Sequence, residues 1–541
     1  MVSVPTTKVA GNSWNYDIHV YPKNTTSVGQ INLKKTDGSN AIAGSKFMLY
    51  KETASGVWTR QTADIDGTPF KDYQGVVFNE TTGEFTVPET GLSINNLGMG
   101  NYKFVESEAP RGYIADRKTA HMFSIDDAGQ VTPSKNIVVA NEMPKITKEV
   151  LRRGTEDDWK HTADYCTTED VKFRVTVDVP KTVGDLKTYK IEDRFTAGQF
   201  DNVALESATI TYTTDIGETN KENFGIVKGA NAGNFVVDTD DASKEIGWHI
   251  EFTPEQKNSL QSKAATKLAT KLEIIYTAKL TKNASTVGYG STDGNENDAK
   301  LIYSHKTNTW DIPDSDKGEQ PDDETTEIND KAFVYTFALV INKEFSGAPD
   351  SDKSKNEATF DVYLSSTSGD TTVPGKGISA FKIGSYTTND GVIEIRTGIS
   401  DDKHPYGFAS NQEIYLVETS TAKGYNLLKE AVELKIDVEY TKESYEKKMI
   451  TRVYDASGHE SSEKRNEGSP ISINSATTFK GKTTGSVITN NNGITNVNVV
   501  NKKGFTLPVT GGRGTTMFTV VGLILMAVAV IGLFTSRKKK A

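Results

Sequence analysis

Residues 30–35 read QINLKK, with Ile31 and Leu33 alternating with Gln30, Asn32 and Lys34, the period-two pattern of a half-buried strand. Side chains two apart share a face, so Lys35 points the same way as Ile31 and Leu33. The same alternation recurs in SWNYDIHVYP (13–22), YKFVES (102–107), VKFRVTVDVP (171–180), LEIIYTAKL (272–280), VYTFALVINK (334–343) and VNVVNKK (497–503). Helical periodicity is rare; TPEQKNSLQ (253–261) is the best short candidate, with Thr253 as N-cap and Pro254 opening the helix. Many short strands joined by Gly, Asn and Asp turns predict an all-β chain of β-sandwiches in tandem.

The chain has 541 residues, too many for one core. ANEMPKITK (140–148) reads as one joint and DIPDSDKGEQPDDETTEIND (311–330) as another, an acidic, solvated linker without the spacing of a calcium loop. The expected units are 1–24 (the end of a truncated preceding domain), 25–143, 144–328, 329–505 and a carboxy-terminal segment 506–541. A formal net charge of −10 gives no reason to bind nucleic acid. The seven histidines show no metal-ligand spacing, no phosphate-binding glycine motif occurs, and no cofactor or metal is implied. Cys166 is the only cysteine, so disulfides cannot brace an exported form of this chain; Cys166 itself reads as a buried or half-buried thiol.

An exported form is expected because 515–534 is an uncharged apolar run of bilayer-spanning length, followed by Arg537, Lys538, Lys539 and Lys540. Those charges keep that end inside and put everything before Thr515 outside. Residues 1–14 contain no apolar run, so a signal peptide is expected upstream of Met1, or Met1 is a misassigned start.

The inward lysine of QINLKK has company. Tyr102 and Phe104 lead to Glu106, and Ile137 and Val139 lead to Asn141. In the third unit Phe337, Leu339 and Ile341 lead to Lys343, Ile414 and Leu416 to Glu418, and Val497 and Val499 to Asn501. The second unit has a variant: Ile146 leads to Lys148, Tyr189 and Ile191 to Asp193, and Asn297 precedes inward Ala299, Leu301 and Tyr303. One polar residue at a strand end simply reaches solvent, but the same trio in the same order three times asks for more. Burying an amine, a carboxyl and an amide together is costly unless they satisfy one another. Burial lowers a lysine pKa and raises that of a carboxyl group. The trio can then form a Lys–Asn isopeptide bond, with lysine as nucleophile, the acid as proton shuttle and ammonia as leaving group. Asn295 is a rival for Asn297, and Glu108 for Glu106.

YKFVESEAPRGY (102–113) resembles the YxLxExxAPxGY box of collagen-adhesin B-type domains, and IYLVETSTAKGY (414–425) is a degenerate copy. ITKEV, TYKIEDRF and NDAKLIYS resemble the A-type domain of the same proteins, LPVTG with the apolar run and basic tail resembles a sortase sorting signal, and VYPKN (20–24) is similar to the pilin motif of Gram-positive shaft pilins. The resemblance implies immunoglobulin-like sandwiches of B, A and B type over 25–143, 144–328 and 329–505, a carboxy-terminal transmembrane helix at 515–534, and the pilin motif at the end of 1–24. It implies a structural, non-enzymatic pilus subunit at the cell surface. A sortase would recognise Leu507, Pro508 and Val509, cut between Thr510 and Gly511, and pass Thr510 to Lys23 of the next subunit. Implied partners are pilus-type and housekeeping sortases, identical subunits head to tail, minor pilins, peptidoglycan and host surface proteins. The alternative is a monomeric wall-anchored adhesin binding a host matrix protein; only Lys23 separates the two.

Overall fold

The computed structural model describes residues 27–289, 294–317, 324–349, 356–399, 405–440 and 494–504, several short paired strands elsewhere, and a carboxy-terminal helix whose side chains are described over 519–532. The expected Lys23 and sorting residues 507–511 lie outside the described residues. So does most of the strand expected over 13–22, of which Trp14–Asn15 pairs with Thr6–Thr7.

In the first sandwich β1 (Val28–Thr36), β2 (Lys46–Ala54), β3 (Leu92–Gly98), β4 (Gly100–Glu108), β5 (His121–Ile125) and β6 (Asn136–Ala140) form two sheets. One sheet runs β6-β1-β3; the other is built around β5-β4-β2. Ile31, Leu33, Phe47, Leu49, Phe85, Tyr102, Phe104 and Phe123 fill the space between them. Each such side chain contributes about 1.5–3 kcal/mol by leaving water.

The second sandwich stacks β7 (Ile146–Leu151), β8 (Asp170–Asp178), β10 (Phe200–Thr213) and β12 (Ala269–Leu280) against β9 (Tyr189–Phe195), β11 (Glu245–Glu251), β13 (Asn295–Ser304) and β14 (Glu324–Tyr335). Helix α1 (Pro254–Ala264) opens with a capping box: the Thr253 hydroxyl accepts from the Gln256 N–H, and the Gln256 side chain accepts from the Thr253 N–H. The third sandwich pairs β18-β15-β21 (Val392–Ile395, Ala338–Phe345, Ile494–Asn501) against β17-β16-β19-β20 (Ser379–Thr387, Thr359–Ser365, Glu413–Ser420, Val432–Tyr440).

Two expectations change. The boundary at 328/329 falls inside β14, which pairs with β13 from Ser304↔Thr325 to Asn295↔Val334 and buries Ala332 and Val334 in the second core. The acidic segment 311–330 is solvated only in part of its described length: Asp311, Asp314 and Ser315 are exposed, but others are not. Ile312 is buried against Met48, Tyr50 and Val105 of the first sandwich, and Thr325, Thr326, Asn329 and Asp330 are buried within β14. Strand pairing and cross-strand partners, not composition, decide the state of these polar residues.

The carboxy-terminal helix, Arg513–Lys538, contains the expected 515–534 span. Among the described residues no helix is long and apolar enough to cross a membrane; the described side chains of this one cover only its middle, where Val520, Leu523, Ile524, Leu525 and Ile531 are exposed.

Candidate functional site

Each sandwich buries a lysine, an acid and an asparagine in one cluster, bonded directly or through a tyrosine hydroxyl. In the first, β6 runs parallel to β1 with Val139 opposite Lys35, so Asn141 lies two residues beyond the lysine on the neighbouring strand. Glu106 reaches both from β4 in the facing sheet. Lys35 Nζ donates to Asn141 Oδ1 and lies 2.9 Å from Glu106 Oε1. The same carboxylate oxygen accepts from Asn141 Nδ2 at 2.8 Å, and the other accepts from the Asp116 N–H at 3.1 Å. All three side chains are buried, with Phe47 beneath the ammonium at 5.3 Å. Burial pulls the Lys35 pKa down against the attraction of Glu106, and pushes the Glu106 carboxyl up. Both directions favour moving the proton from amine to carboxyl. Glu108, the rival acid, instead pairs with Lys46 at the surface.

The third sandwich repeats the register. β21 is parallel to β15, Val499 faces Lys343, and Asn501 lies two residues on. Glu418 Oε1 is 3.6 Å from Lys343 Nζ and accepts from Asn501 Nδ2 at 2.8 Å. Glu418 Oε2 accepts from the Leu428 N–H at 2.8 Å, and Asn501 Nδ2 also donates to Thr421 Oγ1 at 2.6 Å. Burial lowers the Lys343 pKa to about 8.

The second sandwich assembles its cluster across the core. Lys148 stands on β7, while Asp193 on β9 and Asn297 on β13 belong to the opposite sheet. Lys148 Nζ donates to Asp193 Oδ2 and to the Tyr276 hydroxyl, both at 2.5 Å. Tyr276 donates to Asp193 Oδ1 at 2.8 Å and accepts from Asn297 Nδ2 at 2.6 Å. Lys148, Asp193 and Asn297 are 0% exposed. Burial drives the Lys148 amine down and the Asp193 carboxyl up. Glycine is required beside the acid: Gly247 has φ 140°, and an added Cβ would sit 1.8 Å from the Asp193 carbonyl oxygen. Asn295 is occupied elsewhere, bonded to Ser285 and to the Val334 carbonyl.

Sequence reasoning missed Tyr276. Its signal was a hydroxyl at an inward position of LEIIYTAKL, in phase with Leu272 and Ile274. Cys166 is buried beside Tyr335 and Phe337 at the junction of the second and third sandwiches, and burial raises its thiol pKa. Among the described residues no group of His, Cys, Asp and Glu could hold a metal ion.

Residues 29–137 match the model of a SpaA prealbumin-like fold domain, and 499–541 match that of the LPXTG cell wall anchor motif. A search of curated proteins finds no match. Similar solved structures include BcpA, the major pilin subunit of Bacillus cereus (15% identity, 88% of this chain and 100% of that one, TM-score 0.39). Others are the major pilin SpaD of Corynebacterium diphtheriae (14%, 89% and 98%, 0.41) and the T6 backbone pilin of serotype M6 Streptococcus pyogenes (18%, 89% and 99%, 0.44). The first sandwich is thus similar to the SpaA prealbumin-like domain, and the carboxy terminus carries a cell wall anchor motif that places this chain at a cell surface, attached to the wall.

Proposed function

We propose that the chain is a structural shaft subunit of a covalent cell-surface pilus, braced by one Lys–Asn isopeptide bond in each sandwich. The observation that carries this reading is the recurrence of a buried lysine, acid and asparagine, gathered in one cluster, in all three sandwiches of a wall-anchored chain.

The chemistry follows from the geometry of the first cluster. Proton transfer from Lys35 to Glu106 frees an amine to attack Asn141 Cγ. Glu106 Oε1 touches both nitrogens, so it can take the amine's second proton and deliver one to the amide nitrogen. The C–N bond of the amide breaks and ammonia leaves. The same roles fall to Lys343, Glu418 and Asn501, and to Lys148, Asp193 and Asn297. Each cluster acts once, on its own chain, so the protein is a substrate of its own fold and not a turnover enzyme.

Assembly would use the anchor motif. A sortase cleaving between Thr510 and Gly511 leaves an acyl-enzyme on Thr510, with Leu507, Pro508 and Val509 as its recognition residues. Lys23 of a second subunit attacks that acyl group, joining subunits head to tail. Co-expression of Lys23→Ala with the sortase should remove the high-molecular-weight ladder from denaturing gels while leaving the monomer. A ladder that persists would reject Lys23 as the acceptor and leave the wall-anchored adhesin as the reading.

A further inference from the structure

The second cluster contains a hydroxyl bonded to lysine, acid and asparagine alike, whereas among the described contacts the Thr421 hydroxyl of the third cluster meets the asparagine alone. Tyr276 is 0% exposed, its ring stacked on Phe173 at 5.3 Å and edge-on to Trp248 at 5.3 Å. In the first and third sandwiches the carboxylate itself accepts the asparagine N–H. Here Asn297 Nδ2 donates to the phenol oxygen at 2.6 Å, and the phenol donates onward to Asp193 Oδ1 at 2.8 Å. The other carboxylate oxygen, Oδ2, faces Lys148 Nζ at 2.5 Å. The acid thus has one oxygen on the nucleophile and one on the phenol.

We propose that Tyr276 is a catalytic residue of the second crosslink, relaying a proton from Asp193 to the departing amide nitrogen. This rests on the isopeptide reading above. Lys148 first gives one proton to Asp193 Oδ1 by way of the Tyr276 hydroxyl, which accepts from Nζ and donates to Oδ1, and the neutral amine adds to Asn297 Cγ. Nζ then releases its surplus proton to Asp193 Oδ2, while the proton on Oδ1 passes to the Tyr276 oxygen. The Tyr276 proton moves to Nδ2, the C–Nδ2 bond breaks and ammonia leaves. The phenol ends as it began and Asp193 ends protonated, so one ammonium, one carboxylate and one primary amide become one secondary amide, one carboxylic acid and one ammonia.

The aromatic cage gives the relay its precision. The ring is clamped by Phe173 and Trp248, and its oxygen sits within hydrogen-bond distance of nucleophile, acid and leaving group alike. Removal of the hydroxyl leaves the packing but separates the acid from the amide.

The test uses the full chain, synthesised cell-free in detergent and followed over time by intact mass and by mapping of the 148–297 linkage. In wild type all three links form; absence of the 148–297 link would overturn the crosslink reading of this sandwich and this inference together. Tyr276→Phe is expected to form the other two links on the wild-type schedule and the second at least ~100-fold more slowly. A second link formed at the wild-type rate would overturn the relay alone. Should Tyr276→Phe fail to fold, a ring-fluorinated tyrosine at 276 keeps the shape and lowers the phenol pKa. The pH profile for the second link should then move to lower pH while the other two stay fixed; an unmoved profile would overturn the relay.

Discussion

The first and third sandwiches place lysine and asparagine on adjacent parallel strands of one sheet, with the acid reaching over from the other. The second places lysine and asparagine on opposite sheets and adds a phenol. Pairing a chain's first and last strands in parallel makes a Lys–Asn tie between them a short-circuit along the direction of pull. In the second sandwich the proposed tie would end on β13, and β14 follows that strand. A Lys–Asn bond would therefore join the first strand of the sandwich to its last in the first and third sandwiches, but not in the second. The proposed chemistry would be reached from two topologies, with different mechanical consequences.

The largest effect that could break this comparison is loss of the bonds themselves. Glu106→Ala, Asp193→Ala and Glu418→Ala should each raise the intact mass by one ammonia beyond the substitution, without affecting the other two sandwiches. If disulfide loop-closure entropy carries over, each loses about 5 kcal/mol for loops of this length. The separations are 106 residues between Lys35 and Asn141 and 156 between Lys343 and Val499, two short of Asn501. Thermal unfolding of each variant checks the cost; equal melting with and without the bond would remove the stabilising role.

Force should distinguish the topologies next. In the first and third sandwiches the chain leaves at the crosslink, so no hidden length remains to be drawn out. In the second, load passes from Lys148 to Asn297 and then must reach Tyr335. Asn297 faces Ala332 across the β13–β14 pair near its open end, so pulling unzips the hairpin. The released segment, 332 − 297 = 35 residues, would give a step of roughly 120 Å. Single-molecule extension of the crosslinked chain should show one such step; its absence would mean that β14 shares the load with the crosslink.

How far this was legible in the sequence depends on the element. Period-two alternation located Lys35, Glu106 and Asn141 because hydrophobic neighbours in phase with a polar residue report which face it occupies. It could not say that β14 continues the second core, because its buried Thr325, Thr326, Asn329 and Asp330 are polar and only pairing with β13 places them inside. Tyr276 was invisible for a related reason: an inward tyrosine reads as core, and only tertiary contact with Lys148 and Asn297 makes it more than that.

A smaller effect concerns pH. The Lys343 amine titrates at about 8 when folded, against 10.5 for the ordinary group. Below that value each unit of pH lowers the neutral fraction about tenfold, so third-sandwich crosslinking should accelerate up to about pH 8 and then level off. The sign for stability is the reverse of a salt-bridged lysine. In Asn501→Ala, which cannot crosslink, the folded state binds fewer protons than the unfolded state between about 8 and 10.5. Stability should therefore rise with pH through that window. A flat profile across it would contradict the buried-amine reading.

The smallest effect sharpens the mechanical contrast at the first junction. The Trp310 ring centroid lies 3.6 Å from the Arg117 guanidinium carbon, and burial lowers the Arg117 pKa to about 10. Around this pair the Thr307 N–H donates to the Ala115 carbonyl, the Ala115 N–H to the His305 carbonyl, and Lys103 Nζ to the Asp311 carbonyl. Residues 305–312 are thereby held against the first sandwich, yet they lie between Asn297 and Ala332, inside the length the proposed second crosslink would leave unprotected. Unzipping β13 from β14 must peel them away. Trp310→Ala removes a cation–π contact of about 1–2 kcal/mol. The step should keep its length of roughly 120 Å while its rate at fixed force rises about 5–30-fold. A changed length would mean that the junction, and not the position of Asn297, sets where the second sandwich gives way.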